Sequence, residues 1–439
     1  MFRRWILVTL AALALSASAY AQNVNLTETP LDKGAVRIEL SLQLEGKISV
    51  RQDGKEMTYP HKASARHDYV ERVLETSAGV ADKAARYYTT AEGTITFNND
   101  EASKRTLRDK VRFQVAQRLP ERVVSFNPEI QLTREEAELT EHFNTMAVAG
   151  LLPAKEIAVG KTWTVANQVA AALCDLEGLT QQDLEGKLES LKGKIAHISV
   201  AGKVQGISLG ASVSMLVQAK IEFDTQSQRI VAVEWKETNQ RQQGPVTPAL
   251  TADAVIKLTR TPIEVPEHLN DFALVKVPTT KAPPAELTNI QHVDAKKRFT
   301  LMHARDWHVV SPEDNPQLVL RYLEQGKFVA QATVTPWKKI EPAKAMSKEE
   351  FAELMAKTPG WMEDKQTECQ SLPNLPKAHH SAYRVVATGD LDGVRTVQYF
   401  YLIVGVNGEQ AIVTFSIDPQ QVQRLGARDV EMIREIAFP

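Results

Sequence analysis

Gly206-Ile207-Ser208-Leu209-Gly210 carries the G-x-S-x-G spacing of a serine-hydrolase nucleophile elbow. That chemistry needs a sharp turn from a strand into a helix, which lifts the serine above a sheet. Here Ala211, Val213, Met215, Val217, Ala219, Ile221 and Phe223 follow at every second position, the period of a strand. The glycines are therefore expected to serve a β turn between strands over 198–204 and 211–223. Hydrolysis by Ser208 is the weakest of the functional readings.

His379-His380 is the one adjacent histidine pair. Neighbours on an extended chain point to opposite sides and chelate poorly. Glu141-His142 lacks the second histidine of an H-E-x-x-H zinc site. Glu135 and Glu136 read as first-turn acids of a helix capped by Thr133. No Gly-rich phosphate loop and no C-x-x-C occurs. No catalytic, cofactor-binding or metal-binding residue is assigned, and the expected cofactor is none. Trp163, Trp235 and Trp307 lie in strand patterns and are expected in the core. Trp337, after Pro336, and Trp361, after Pro359-Gly360, fall in less regular segments and are the candidate exposed contact residues.

The elements around these residues are led by 394–417, two strand patterns joined by Asn407-Gly408. A two-residue type I′ turn there sets Val404 opposite Ala411, Leu402 opposite Val413 and Phe400 opposite Phe415 on one apolar face. Ile403/Ile412, Tyr401/Thr414 and Tyr399/Ser416 then fall on a more polar one. Val36, Ile38, Leu40, Leu42, Leu44, Ile48 and Val50 occupy even positions, as one strand or a hairpin about Glu45-Gly46-Lys47. Further strands are predicted at 86–91, 93–97, 111–117 and 230–235. In the C-terminal part they fall at 299–303, 307–310, 317–323, 328–335 and 382–388. Capping boxes Thr133…Glu136 and Ser347…Glu350 open helices over 134–149 and 348–357. Other helices are expected at 167–174, at 180–191 and after Pro419 to about 436.

The predicted fold class is α+β, with two domains, each an antiparallel sheet packed against helices. The N-terminal one is half-barrel-like. The division is a signal peptide (1–21), a loose leader (22–33), a β-rich domain (34–265), a Pro-rich linker or surface strap (266–296) and a second domain (297–439).

Composition agrees with a folded chain of this size: 439 residues, 43% hydrophobic, 24% charged, net charge -2. Without a concentrated basic surface, nucleic acid is not an expected partner. Arg3-Arg4, the apolar run from Trp5 to Leu15 and Ala19-Tyr20-Ala21 make a cleavable export signal. The apolar run falls short of the ~20 residues that span a bilayer. The expected localisation is periplasmic or secreted, with cleavage after Ala21 and no stable membrane insertion afterwards. Export would permit a bridge between Cys174 and Cys369, on the order of 4 kcal/mol if it forms. Two unpaired, half-buried thiols are the other reading, favoured for Cys174 by the apolar stripe of Val169, Ala172, Leu173 and Leu176 beside it.

Phe299-Thr300-Leu301 followed by Arg305-Asp306-Trp307 is similar to the aromatic strand and x-D-W start of exported PsbP-like and DcrB-like domains. Tyr399 to Val404, Ile412 to Ile417 and the closing Ile436-Ala437-Phe438 resemble the end of the same fold. His303-Ala304 stands where Tyr-Pro is common. The resemblance covers 297–439 and implies a PsbP-like fold with non-enzymatic accessory, stress-related or assembly roles. Leu151-Leu152-Pro153 and Val159-Gly160-Lys161-Thr162-Trp163 resemble uncharacterised exported bacterial proteins, with no function attached.

The expected function is that of an exported, non-catalytic envelope protein that binds a macromolecular partner (a protein or other envelope component) or acts structurally. The alternative is a periplasmic carrier of a lipid or other apolar ligand in the N-terminal domain. An apolar cavity there would favour the second, a packed interior the first.

Overall fold

Period-two patterning builds most of this chain. The computed structural model describes residues 23–28, 34–52, 55–77, 80–98, 100–119, 122–312, 315–341 and 344–439; the expected signal segment lies outside them. After β1 (Asn23–Asn25) come three long strands, β2 (Ala35–Gln52), β3 (Lys55–Ser77) and β4 (Val80–Phe97). The short strands β5 (Ser103–Thr106), β6 (Phe113–Arg118), β7 (Val123–Phe126) and β8 (Leu132–Thr133) lead into α1 (Arg134–Glu141). Then follow β9 (Glu156–Ala158), β10 (Thr162–Thr164), α2 (Asn167–Leu173), β11 (Gly178–Gln182) and β12 (Glu185–Lys192). Four long strands complete the set: β13 (Ile195–Ser208), β14 (Ala211–Asp224), β15 (Arg229–Arg241) and β16 (Ala249–Ile263). They pair in the order β10-β12-β13-β14-β15-β16-β2-β3-β4-β6-β7, and β5 and β11 make it a 13-stranded sheet. Its principal pairings are antiparallel, and it is open, with β10 and β7 at the ends of that order.

Residues 266–289 run over the far side of β4, β6 and β7. Leu269 and Val277 join the cluster of Ala85, Phe113, Val115, Val124 and Phe126, and the Arg72 guanidinium and Gln117 amide donate to the Leu269 and Lys281 carbonyls. After α3 (Ala285–Thr288), β17 (Ile290–Val293) pairs in parallel with β8 and so ties the two parts of the chain together. Arg305 adds to that joint, donating to both Glu141 oxygens at 2.7 and 2.9 Å and to the Ser125 and Thr288 carbonyls.

The C-terminal part continues with β18 (Thr300–His303), β19 (Trp307–Val309), β20 (Leu318–Glu324), β21 (Lys327–Trp337), α4 (Lys348–Ala356), β22 (Trp361–Gln366) and β23 (Gln370–Ser371). It ends with β24 (His379–Leu391), β25 (Val394–Gly405), β26 (Gln410–Ile417), α5 (Val422–Leu425), α6 (Arg428–Arg434) and β27 (Ile436–Ala437). An eight-stranded sheet runs β19-β20-β21-β26-β25-β24-β22, with β23 on β24.

The helix-packed α+β class is corrected. Strand makes up 56% of the described residues and helix 15%, in large antiparallel sheets. The longest described α-helix, α4, has 9 residues and reaches only ~14 Å, whereas the 23 residues of β3 extend ~75 Å. Helices this short cannot form a layer over such sheets. The helix expected over 180–191 is strand β12 and part of β11. Leu184 and Leu188 are four apart, a spacing that one strand face satisfies as well as a helix does. Helix 134–149 stops at Glu141 and resumes as a 3-10 turn, Thr145–Leu151. The final helix is broken at Gly426, whose φ is +60°. The leader is not loose over Asn23–Asn25, which pairs with β9.

The hairpin at Asn407-Gly408 is also shifted by one residue. Gly405 and Glu409 close a three-residue loop, with Gly405 N–H donating to the Glu409 carbonyl at 2.8 Å. Gly408 takes φ +86° while Asn407 does not go positive, so the type I′ condition is unmet. Tyr401 therefore opposes Val413 and Tyr399 opposes Phe415. One residue of slip exchanges the faces. The fold tolerates it because both faces are apolar: Tyr399, Tyr401, Val413 and Phe415 pack on the α5–α6 side, and Phe400, Leu402, Val404 and Ile412 on the α4 side.

Candidate functional site

Ser208 ends β13, and Leu209 and Gly210, at φ +52° and +72°, form the two-residue turn into β14. A strand follows the serine, so the elbow geometry is absent. His379 is buried and bonded through Nε2 to the Ile436 carbonyl, while His380 points outward. Glu141 is taken by Arg305, Glu136 by Arg108 and Glu135 by Arg105. Among the described residues no cluster of His, Cys, Asp and Glu is arranged to hold a metal. Cys174 and Cys369 are both buried and unbridged. Trp337 is 42% exposed, but Trp361 is buried beside Phe400, which corrects its expected exposure. The irregular segment before it hid the fact that Trp361 begins a strand, β22.

Of those residues Ser208, Cys174 and Glu135 with its partner Arg105 line one cavity, and the others lie apart from it. That cavity, one concave feature of the N-terminal sheet, measures about 300 Å³ and lies under α1 and α2. Its floor is a row of register partners crossing five strands: Glu237 on β15, Ala254 on β16, Leu44 on β2, Ala63 on β3 and Ile95 on β4. Small side chains at Ala254 and Ala63, with Gly93 and Ala65 beside them, leave room where larger ones would fill it. The roof is Leu139, His142 and Phe143 from α1 and the turn after it, with Leu173 and Cys174 from the end of α2. The capping box on Thr133, with Glu136 closing back on its N–H at 2.9 Å, fixes where α1 starts and thus where that roof lies. The rim carries Arg105, Glu135 and Glu138; Arg105 pairs with Glu135 at 3.2 Å and Glu138 with Arg134 at 2.6 Å.

One strand departs from the apolar lining. On β15 the inward positions read Val233, Trp235, Glu237, Asn239, Arg241. Val213 and Met215 flank this polar run on β14, as Ala252 and Ala254 do on β16. Asp175, just after α2 and held at φ +50°, faces the same space. Glu237 accepts from the Trp235 indole at 2.8 Å. Asn239 Oδ1 and Arg241 Nε are buried with no hydrogen-bond partner, and so is His142 Nε2 on the roof. Leaving such atoms unpaired costs roughly 1–3 kcal/mol apiece, so the polar run stabilises the fold only if something else satisfies it.

Burial pushes the Glu237 carboxyl above its ordinary range; the Trp235 indole pulls it back, and repulsion from Asp175 raises it again. Asp175 stands in accessible space yet is surrounded by protein, so burial raises its carboxyl too. The negative charge of Glu141 adds to that rise, and Arg122 and Arg241 oppose it. Burial lowers Arg241 and holds His142 neutral, and it raises the Cys174 thiol, which is therefore a poor nucleophile. No base or activated nucleophile is assembled here. The arrangement is a slot with an apolar floor and roof, paired charges at the rim and a polar run on β15.

Sequence reasoning ended that strand at 235 and so passed over the polar run. The signal was present: Glu237, Asn239 and Arg241 continue the inward parity of Val233 and Trp235.

No protein-family model matches the chain, and no curated protein matches it. Among solved structures the chain is similar to cyanobacterial PsbP from Synechocystis, at 10% identity over 37% of this chain and 98% of that one, TM-score 0.28. It is similar to the Ran-binding protein Mog1p of Saccharomyces cerevisiae, at 13% identity over 34% of this chain and 95% of that one, TM-score 0.26. A third likeness, to lipovitellin, has 9% identity over 53% of this chain and 26% of that one, TM-score 0.29. The likeness to PsbP and Mog1p is partial, and similarity this low carries no activity, partner or ligand across.

Proposed function

We propose that this is an exported, non-catalytic carrier whose N-terminal sheet holds a small ligand with an apolar body. The observation that supports it is the slot of about 300 Å³ between the floor row and α1, at the lower end of the sizes of ligand pockets. Its floor and roof offer aliphatic and aromatic contact between a rim of paired charges by β4 and β5 and a polar run on β15 with buried atoms left unpaired, a pattern that orients an amphiphile. The lack of an assembled nucleophile or base favours carriage over turnover. A partner-binding role is the second reading, supported by the exposed Phe272 and Val275 on the 266–289 segment and by the half-exposed Trp337.

Native mass spectrometry of the full chain, purified without detergent, tests the reading. The expected result is a co-purifying or readily added small apolar molecule, released on denaturation. Protein that is homogeneous, empty and unable to take up any apolar compound would remove it.

A further inference from the structure

Glu237, Ala254, Leu44, Ala63 and Ile95 face each other in register across four strand spacings, so the floor is ~19 Å long. A volume of about 300 Å³ along a floor of that length suits one extended carbon chain.

The polar end has a sign. At the rim, Arg105 and Glu135 neutralise each other, and Glu138 is paired with Arg134. Glu141 is paired with Arg305. Inside, two carboxylates, Asp175 and Glu237, face one cation, Arg241, and burial keeps His142 neutral. Arg241 and Asp175 attract each other. Glu237 is left with a single indole N–H and a repelling neighbour. Beside it the unpartnered Asn239 oxygen offers a second acceptor. Acceptors and a surplus negative charge at the head of a one-chain slot suit a protonated amine.

We propose that the slot selects single-chain amphiphiles with a basic head, the ammonium group bound at Glu237 and Asn239 and the chain lying across the strands toward Ile95. This rests on the carrier reading and adds the class of ligand to it.

The test is calorimetric titration of the full chain at neutral pH with three probes of equal chain length: decylamine, decanol and decanoate. The amine should bind on the order of tenfold tighter than the alcohol, the expectation for one charge-assisted hydrogen bond, and the carboxylate weakest. Glu237→Gln keeps the indole bond and removes the charge, so it should abolish the advantage of the amine over the alcohol. Amine affinity in the wild type should also rise with pH as Asp175 and Glu237 ionise, an ionisation that Arg241 and Arg122 favour at Asp175 and Glu141 opposes. Equal binding of all three probes, or preference for the carboxylate, overturns the head-group assignment and leaves the carrier reading standing. Binding of none overturns both.

Discussion

Ala254→Leu should stabilise this protein, and the sign of that change separates a slot from a packed interior. Ala254 sits in the middle of the floor row, between Glu237 and Leu44, with its methyl group facing the space under α1. Leucine adds three carbons at ~0.8 kcal/mol each, a gross gain of about 2.4 kcal/mol. Ordering the longer side chain costs about 0.5–1 kcal/mol, which leaves a net gain of roughly 1.5–2 kcal/mol. Were the interior already filled, the same carbons would force neighbours off their rotamers and cost roughly 1–3 kcal/mol. Urea denaturation of both proteins, followed by tryptophan fluorescence, reads the difference as a shift in midpoint at constant slope. The variant should also weaken uptake of decylamine, because the leucine would occupy the middle of the floor that the chain crosses. A midpoint that moves down by the overpacking amount, with uptake unchanged, would refute the reasoning.

Two further outcomes are expected. Arg305→Lys should destabilise by about 2–4 kcal/mol, because one ammonium cannot replace donors that reach both Glu141 oxygens and two carbonyls; denaturation midpoints read this, and a variant as stable as wild type would count against the joint. His303 and His308 are both pushed down to about 4 by burial, so the unfolded chain binds more protons than the native one below the ordinary histidine value. Their contribution is complete above about 6.5 and lost as pH falls toward 4, on the order of 3 kcal/mol per histidine; a stability profile flat over that window in the wild type would contradict it.

Elements whose alternation is carried by large apolar residues could be read directly. β14, with Val213 through Phe223 on one parity, lies where its pattern puts it, and so do the two capped helix starts at Thr133 and Ser347. β3 was invisible because its outward and inward positions are both largely polar and Pro60 interrupts it. The proline is tolerated because it lies just past the end of the β4 pairing at His61, where the Asn98 N–H donates to its carbonyl. Hairpin register at 405–409 turned on whether Asn407 takes a positive φ, which its residue type permits but does not require. The slot itself was half legible. Leu42 and Leu44 announce an inward face, but its emptiness depends on alanines at 63 and 254 meeting in register from strands almost two hundred residues apart. No local pattern reports that.

The most direct measurement is a crystal structure of the full chain grown with a bromine-tagged alkylamine. The account predicts one bromine site near Ile95 and Ala63, continuous chain density over Leu44 and Ala254, and the nitrogen beside Glu237. Side chains closing over that row, with no bromine beneath α1, would contradict it.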